Sequence, residues 1–197
     1  VFDDLFQFIN NPWITQFNHI NDIFSHRVWF FSYSFPDGVN PYYRPIMHLV
    51  FMFEYAFFGL QALPWHAINI IWHVINATLV FIFILLFFKK IIPRIYTEHS
   101  SLKTPKATSL FVSAFFGAVL FLVHPLHTEV VNWIAAVPEL ALVSCSLLSI
   151  LFFIARDTVY FRSLSALFFF FATLSKETGY LVLPFLVLLD FFFIPLA

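Results

Sequence analysis

The sequence predicts an all-α fold, a polytopic bundle of transmembrane helices. Of the 197 residues, 61% are hydrophobic and only 11% are charged, whereas soluble domains carry about 25% charged residues. Several apolar runs also approach the roughly 20 residues that a helix needs to cross the hydrocarbon core of a bilayer. This composition indicates an integral membrane protein, and a net charge of −1 gives no sign of nucleic-acid binding.

Five apolar segments are candidate spans. The first, Trp65–Phe88, has the full length and is closed by two lysines and a proline. The others are Ser109–Val123, Leu140–Ala155, Leu164–Leu174 and Tyr180–Ile194. Residues 64–197 are therefore predicted to form a transmembrane helical core, which is incomplete at both ends.

The distribution of basic residues predicts the orientation of these spans. Two loops on one side of the bundle carry most of them: Lys89, Lys90, Arg94, Lys103, Lys106, Arg156 and Arg162. Arg27, Arg44 and Lys176 fall on the other side. By the positive-inside rule the two basic loops are cytoplasmic, so residues 124–139 and 175–179 face the opposite compartment.

Residues 1–63 are predicted to form an external loop that contains interfacial helices. The stretch Ile46–Leu63 is apolar, but it carries His48 and Glu54 and ends in a glycine and a proline. We therefore expect it to lie in the outer interface of the bilayer, as amphipathic helices do, and not to cross. Residues 14–31 have the same mixed character.

The outward-facing polar residues gather on one side of the predicted bundle. They are Asp3, Asp4, Arg44, His66, Asn69, His73, His124, His127, Glu129, Glu139, Lys176 and Glu177. Polar groups near a bilayer are costly, and grouped ones usually mark a site. The pair Asp3 and Asp4 either belongs to a solvated loop or supplies one carboxylate as a general base.

Two sets of histidines admit a metal site or a structural role. His124, His127 and Glu129 have the residue types of a metal-ligand set, but polar residues at the end of a helix are the favoured interpretation, and no metal is expected. His66, Asn69 and His73 are spaced to share one helix face. A hydrogen-bonded structural seam is the favoured interpretation there.

Lys176 is predicted to sit below the outer surface of the membrane. The span before it, counted from Ser163 to Leu174, would be only about 18 Å long at 1.5 Å per residue. A recessed ammonium suits the phosphate of a lipid-linked donor. The other interpretation is a lysine that extends its side chain to the lipid headgroups.

The motifs D-D, Y-Y-R-P, H-A-I-N-I-I-W-H, H-P-L-H-T-E-V-V-N-W and S-K-E-T-G occur in this order. With them the chain resembles the membrane half of the transmembrane and tetratricopeptide-repeat O-mannosyltransferases and their bacterial relatives, within the GT-C superfamily of glycosyltransferases. The resemblance implies a GT-C-like helical fold and a polyprenyl- or dolichyl-phosphate-linked sugar as donor. It also implies inverting transfer to a hydroxyl acceptor, with mannose onto protein serine or threonine following from the eukaryotic relatives.

The resemblance also implies roles for particular residues. Asp3 is the expected catalytic base and Asp4 its structural neighbour, while Lys176 and Arg44 are expected to bind the donor phosphate. The lip of the substrate site is expected to comprise His124, His127, Glu129, Glu139 and Glu177. The stretch A-A-V-P-E-L lacks an arginine that relatives often carry, so Glu139 would replace their acidic residue alone.

The expected partners are membrane lipid, the lipid-linked sugar phosphate and a protein or glycan acceptor, with no further cofactor. The expected location is the endoplasmic reticulum membrane or the bacterial inner membrane, with the site on the lumenal or periplasmic side. Two other functions stay open. A transporter or flippase would need polar groups at the membrane midplane, and only Glu54 and the helix face with His66 and His73 could supply them. A noncatalytic scaffold would merely bind polyprenyl lipid.

Overall fold

A computed structural model of the chain describes residues 5–32, 42–98 and 105–193, and every regular element within these ranges is helical. The α-helices are α1 (Ile20–Ser25), α2 (Pro45–Phe58), α3 (Ala62–Glu98), α4 (Ala107–Val123), α5 (His127–Asn132), α6 (Val137–Ala155), α7 (Val159–Ser175) and α8 (Val182–Phe193). A π-helical turn covers Leu5–Ile9, and 3₁₀ turns cover Pro12–Ile14, Phe17–His19, Ile134–Ala136 and Glu177–Leu181. The prediction of an all-α protein is confirmed.

Two of the described helices are long and apolar enough to cross a membrane. They are Ala62–Lys90, with 29 residues, and Ile134–Ala155, with 22 residues. Helices α2, α4 and α7 are apolar but shorter, with 14, 17 and 17 residues. The membrane class predicted from composition thus agrees with two full-length spans, and the polytopic arrangement of five crossings stays a prediction.

Side-chain contacts show how the long helices run relative to one another. His73 of α3 meets the carbonyl of Leu122 at the end of α4, and Phe81 meets Phe111 near the start of α4, so these two helices are antiparallel. Helix α6 runs parallel to α3, because Asn69 meets the residue 133 carbonyl and Asn76 meets that of Leu140.

Helix α7 runs antiparallel to α6. Ser149 donates to the carbonyl of Ser165 at 2.9 Å, while Glu139 at the start of α6 contacts Lys176 just after α7. The starts of α3 and α6 therefore lie at the same end of the bundle as the ends of α4 and α7, and we call this the site end. The basic residues Lys89, Lys90, Lys106 and Arg156 belong to helix ends and loops at the opposite end.

A polar seam joins α3 to its neighbours. Asn69 donates from Nδ2 to the Trp133 carbonyl, His73 from Nε2 to the Leu122 carbonyl and Asn76 from Nδ2 to the Leu140 carbonyl, each at 3.1 Å. All three side chains on α3 are buried. The seam predicted from the spacing of His66, Asn69 and His73 is confirmed for Asn69 and His73. It continues one turn further, to Asn76, while His66 is only partly buried and does not join it.

The segment before α3 packs firmly onto the site end. Its core comprises Phe8, Trp13, Ile14, Ile23, Val28, Met47, Phe51 and Met52, which pack with Trp65, Ile134 and Val137. Helix α2 starts at Pro45 and stops at Gly59, whose φ of 55° is easily adopted only without a side chain. The indole of Trp65 donates to the Gly59 carbonyl at 2.9 Å, which ties the turn between α2 and α3.

Burial of two polar residues removes one argument for placing α2 in the outer interface. The interface was predicted from the polarity of His48 and Glu54, yet both are buried inside the protein, at 2% and 5% exposure. Their polarity is therefore screened from the bilayer. The length of α2 remains an argument for the interface, because 14 residues reach only about 21 Å, and this placement stays a prediction.

Helix α7 is longer than its apolar run. It begins at Val159 and has 17 residues, or about 26 Å, so the prediction of a 12-residue span before Lys176 is wrong. The helix starts earlier because Thr158 caps it, and because Arg162 is neutralised by Asp157 at 3.0 Å and Asp190 at 3.2 Å. Depth below the membrane surface therefore no longer supports a phosphate role for Lys176.

Candidate functional site

The two cations predicted to bind a phosphate both lie at the site end, and each is paired with a carboxylate. Arg44 donates from Nε to Glu177 Oε1 at 3.0 Å and from Nη2 to Oε2 at 2.8 Å. Lys176 donates from Nζ to Glu139 Oε1 at 2.5 Å. Four of the predicted site residues are thus brought together as two ion pairs, from the segment before α2, the start of α6 and the corner after α7.

The backbone after α7 explains why consecutive residues enter different pairs. Lys176 is extended, with φ −157° and ψ 149°, and it ends the helix. Side chains that follow one another along an extended backbone point to opposite sides. Lys176 therefore turns towards α6, and Glu177 turns towards Arg44.

Gly179 holds this corner against α7. A Cβ placed on Gly179 would lie 2.5 Å from the carbonyl oxygen of Ala172, which is closer than real Cβ contacts. The amide of Gly179 also donates to the Lys176 carbonyl at 2.9 Å. The glycine of S-K-E-T-G is thus required for close packing, and the break in the helix comes from Lys176 itself.

Arg44 controls the charge state of Glu177. Burial by itself would raise the pKa of Glu177, but the hydrogen bonds from Arg44 and from the backbone, with the positive charges of Arg44 and Lys176, lower it overall. Glu177 is therefore a carboxylate at neutral pH. The Tyr42 ring lies 4.6 Å from the guanidinium carbon of Arg44 and covers one of its faces.

The histidines of H-P-L-H-T-E form a ring cluster with one residue of the seam. The His127 ring lies 5.1 Å from His73, 5.9 Å from His124 and 4.4 Å from Phe121, measured between centroids. Burial, together with the charges of His73 and His124, lowers the pKa of His127. The His127 ring is therefore uncharged at neutral pH.

The possible metal set is not assembled. In the described ranges, no group of three His, Cys, Asp or Glu side chains could hold a metal ion. His124 instead accepts a hydrogen bond at Nδ1 from the amide of Leu126 at 3.3 Å, and Glu129 lies in the first turn of α5. These contacts agree with polar residues at a helix boundary.

Some candidates lie elsewhere. Asp3 and Asp4 fall outside the described residues, so their role as base and structural neighbour stays a prediction. A buried polar contact that the motifs did not indicate lies under α2, where Asn11 Nδ2 is 3.1 Å from His48 Nδ1. No periodicity could signal it, because 37 positions separate the two residues.

Similarity to known proteins identifies the family. The chain is 30% identical over 191 residues to a protein O-mannosyl-transferase of Caenorhabditis elegans, a match that covers 97% of this chain and 25% of the relative. The chain belongs to the family of these protein O-mannosyl-transferases. Protein O-mannosyl-transferase TMTC3 of Homo sapiens is 26% identical over 163 residues, and Tmtc3 of Drosophila melanogaster is 25% identical over 159 residues. The resemblance read from the motifs is confirmed.

The matches cover most of this chain but only part of each relative. The human and fly matches include 83% and 77% of this chain, yet only 15% and 16% of those proteins. The chain thus spans about a quarter of the C. elegans relative and less of the others. No protein-family model and no solved structure matches it. Family membership and the two full-length apolar helices identify a membrane protein.

Proposed function

We propose that the chain is the membrane part of a GT-C glycosyltransferase that moves mannose from a polyprenyl- or dolichyl-phosphate donor to a hydroxyl acceptor. The observation that carries this proposal is the similarity to protein O-mannosyl-transferases over 97% of the chain. The acceptor is a serine or threonine of a protein, in keeping with the names of those relatives. The site end faces the lumen of the endoplasmic reticulum or the periplasm.

Transfer proceeds in one inverting displacement. Asp3 takes the proton from the acceptor hydroxyl, and the oxygen attacks the anomeric carbon of the sugar. The bond between that carbon and the phosphate oxygen breaks on the opposite face, and the electron pair leaves with the polyprenyl phosphate. Asp4 has a structural role beside the base. The cation Lys176 stabilises the negative charge that grows on the leaving phosphate.

The contacts of Lys176 are compatible with this role. An ammonium has three donors, and the structure commits one of them to Glu139. The Lys176 side chain is 26% exposed, so it is only partly covered by the protein. His124, His127 and Glu129 form the adjacent lip, where the uncharged His127 can hydrogen-bond an acceptor without adding charge.

A transporter is less well supported by the same structure. The polar groups along the middle of the bundle hydrogen-bond one another between helices: Trp72 to Ser144 at 2.6 Å, Ser144 to Asn76 at 2.5 Å and Ser149 to Ser165. Interhelical hydrogen bonds of this kind hold membrane helices together. Glu54 is a buried residue of α2, and no hydrogen bond among the described residues joins it to this seam, so those residues give no continuous polar path.

The test is sugar transfer by the purified full-length protein in lipid vesicles. Dolichyl-phosphate mannose with a radiolabelled sugar is supplied together with peptides that contain serine and threonine. We expect label in the peptide and loss of most of it in Asp3→Asn, by about 10²–10⁴-fold for a general base. The matched neighbour Asp4→Asn should lose less. Donor binding without any transfer would instead support the noncatalytic scaffold.

A further inference from the structure

The two ion pairs at the site end differ in geometry, and we propose that they have different roles. Arg44 and Glu177 form a latch that fastens the segment before α2 to the corner after α7. Glu139 is a positioning residue, which holds the ammonium of Lys176 where the phosphate of the lipid-linked donor arrives. This inference rests on the proposed function and divides the work between two cations that the sequence motifs did not distinguish.

The contacts around Arg44 are those of a fixed structural pair. Two parallel hydrogen bonds to one carboxylate fix both the distance and the orientation of the guanidinium. The Arg44 side chain is only 15% exposed, with Tyr42 on one face. The hydroxyl of Tyr43 donates to the Phe24 carbonyl in α1 at 2.9 Å. The residues just before α2 are therefore held both by Glu177 and by the backbone of α1.

The span of the latch shows what it connects. Arg44 and Glu177 are separated by 133 positions. Arg44 directly precedes α2, whose buried residues Met47 and Phe51 pack on the start of α6. Loss of the latch would remove one charged contact between this segment and the bundle, while the apolar packing of Met47 and Phe51 remains.

The contacts around Lys176 leave it able to take a ligand. Among the described residues its ammonium donates one hydrogen bond, to a single oxygen of Glu139, and both side chains are about one-quarter exposed, at 26% and 27%. An ammonium is a compact charge on a flexible stem. Lys176 can therefore add a phosphate oxygen to its remaining donors while Glu139 keeps its position.

Glu139 has a second source of stabilisation. It lies in the first turn of α6, a helix of 19 residues. A negative side chain near a helix N-terminus interacts favourably with the helix dipole. Glu139 can thus share Lys176 with an anionic phosphate without being left as an isolated charge, which is the property that a positioning residue requires.

Two charge-swapped variants separate these roles. The variant R44E/E177R exchanges the latch, and the variant E139K/K176E exchanges the positioning pair, while the summed side-chain lengths are unchanged in each. The single variants and the wild-type full-length protein serve as references. The readouts are the melting temperature in lipid vesicles, the kcat of mannosyl transfer, and the rise in melting temperature on addition of dolichyl phosphate, since a ligand that binds the folded state stabilises it.

We expect both swaps to melt at higher temperature than their single variants, because opposite charges again face each other. The latch swap should recover at least one-third of the wild-type kcat and the stabilisation by dolichyl phosphate. The positioning swap should stay at least tenfold below the wild-type kcat and should lose that stabilisation. Recovery of transfer in both swaps, or loss in both, would overturn the division of roles.

If the latch swap does not recover its stability, the melting temperature and the kcat of a single variant, Arg44→Lys, test the latch instead. Arg44→Lys keeps the charge but removes the parallel hydrogen bonds, so it should lower the melting temperature while kcat per folded molecule stays within threefold. A tenfold loss of that kcat would contradict the latch. If the wild type shows no transfer, the proposed function fails. The stabilisation by dolichyl phosphate, compared between the wild type and E139K/K176E, still shows whether Lys176 binds a phosphate.

Discussion

Replacement of Gly179 by alanine should destabilise the corner that presents Lys176 and Glu177. The new Cβ would lie 2.5 Å from the Ala172 oxygen, 2.6 Å from the Ala172 carbonyl carbon and 2.7 Å from the Thr173 nitrogen. All three are backbone atoms of α7, so no side-chain rotation relieves the contact. The corner must move by about 0.5 Å or more, and overpacking of this kind costs about 1–3 kcal/mol.

Gly117 provides a matched control for this substitution. A Cβ on Gly117 would meet only the terminal Cδ1 of Ile84, at 2.7 Å. The end of an isoleucine side chain can rotate away, so Gly117→Ala should cost much less than Gly179→Ala. The comparison holds the chemical change constant. Gly117 also lies within α4, where alanine gains about 1 kcal/mol of helix propensity over glycine, so the two melting temperatures should differ in the same direction.

The assay is thermal unfolding of the full-length protein in lipid vesicles, together with transfer per folded molecule. A loss of about 1 kcal/mol shifts the melting temperature of a domain of 150–250 residues by about 2–4 °C. We expect the melting temperature of Gly179→Ala to fall by that amount or more. The variant should also lose transfer, because the corner carries Lys176. Equal melting temperatures for the two alanine variants would refute the assignment of Gly179 to close packing.

Two further predictions concern charge, and a third concerns topology. Lys176→Met should fold, because the stem keeps its packing, but its kcat should fall at least tenfold. Lys176→Arg should recover part of that kcat. Wild-type turnover of the methionine variant would remove the phosphate role of Lys176. The pKa of His127 lies below its usual value of 6.5, so the unfolded state binds more protons just below pH 6.5, and stability should fall as the pH drops from 7.5 to 5.5. His127→Phe keeps the ring packing and cannot titrate, so its melting temperature should fall less over this range; an equal fall would contradict the assignment. For topology, a cysteine in place of Thr128 should react with an impermeant reagent in right-side-out vesicles and one in place of Lys103 should not, and the reverse result would invert the orientation.

Much of the helical layout could be predicted because its signals are local. Run length and charge marked α4, α6 and the start of α3 to within three residues of their observed positions, and the spacing of His66, Asn69 and His73 indicated the seam. These signals work because a membrane helix must satisfy its backbone internally and cover its length with apolar side chains. The end of α3 was missed, because the helix continues past Lys89, Lys90 and Pro93 to Glu98. The start of α7 was missed because Arg162 interrupts the apolar run.

The sequence by itself determined the membrane class, the family and the gathering of polar residues at one end, since composition and motif order carry these properties. The tertiary structure decided which of those residues meet. It paired Lys176 with Glu139 and Arg44 with Glu177, and it buried His48 beneath α2. Such contacts join residues up to 133 positions apart, and their partners depend on how whole helices pack, which local spacing does not encode.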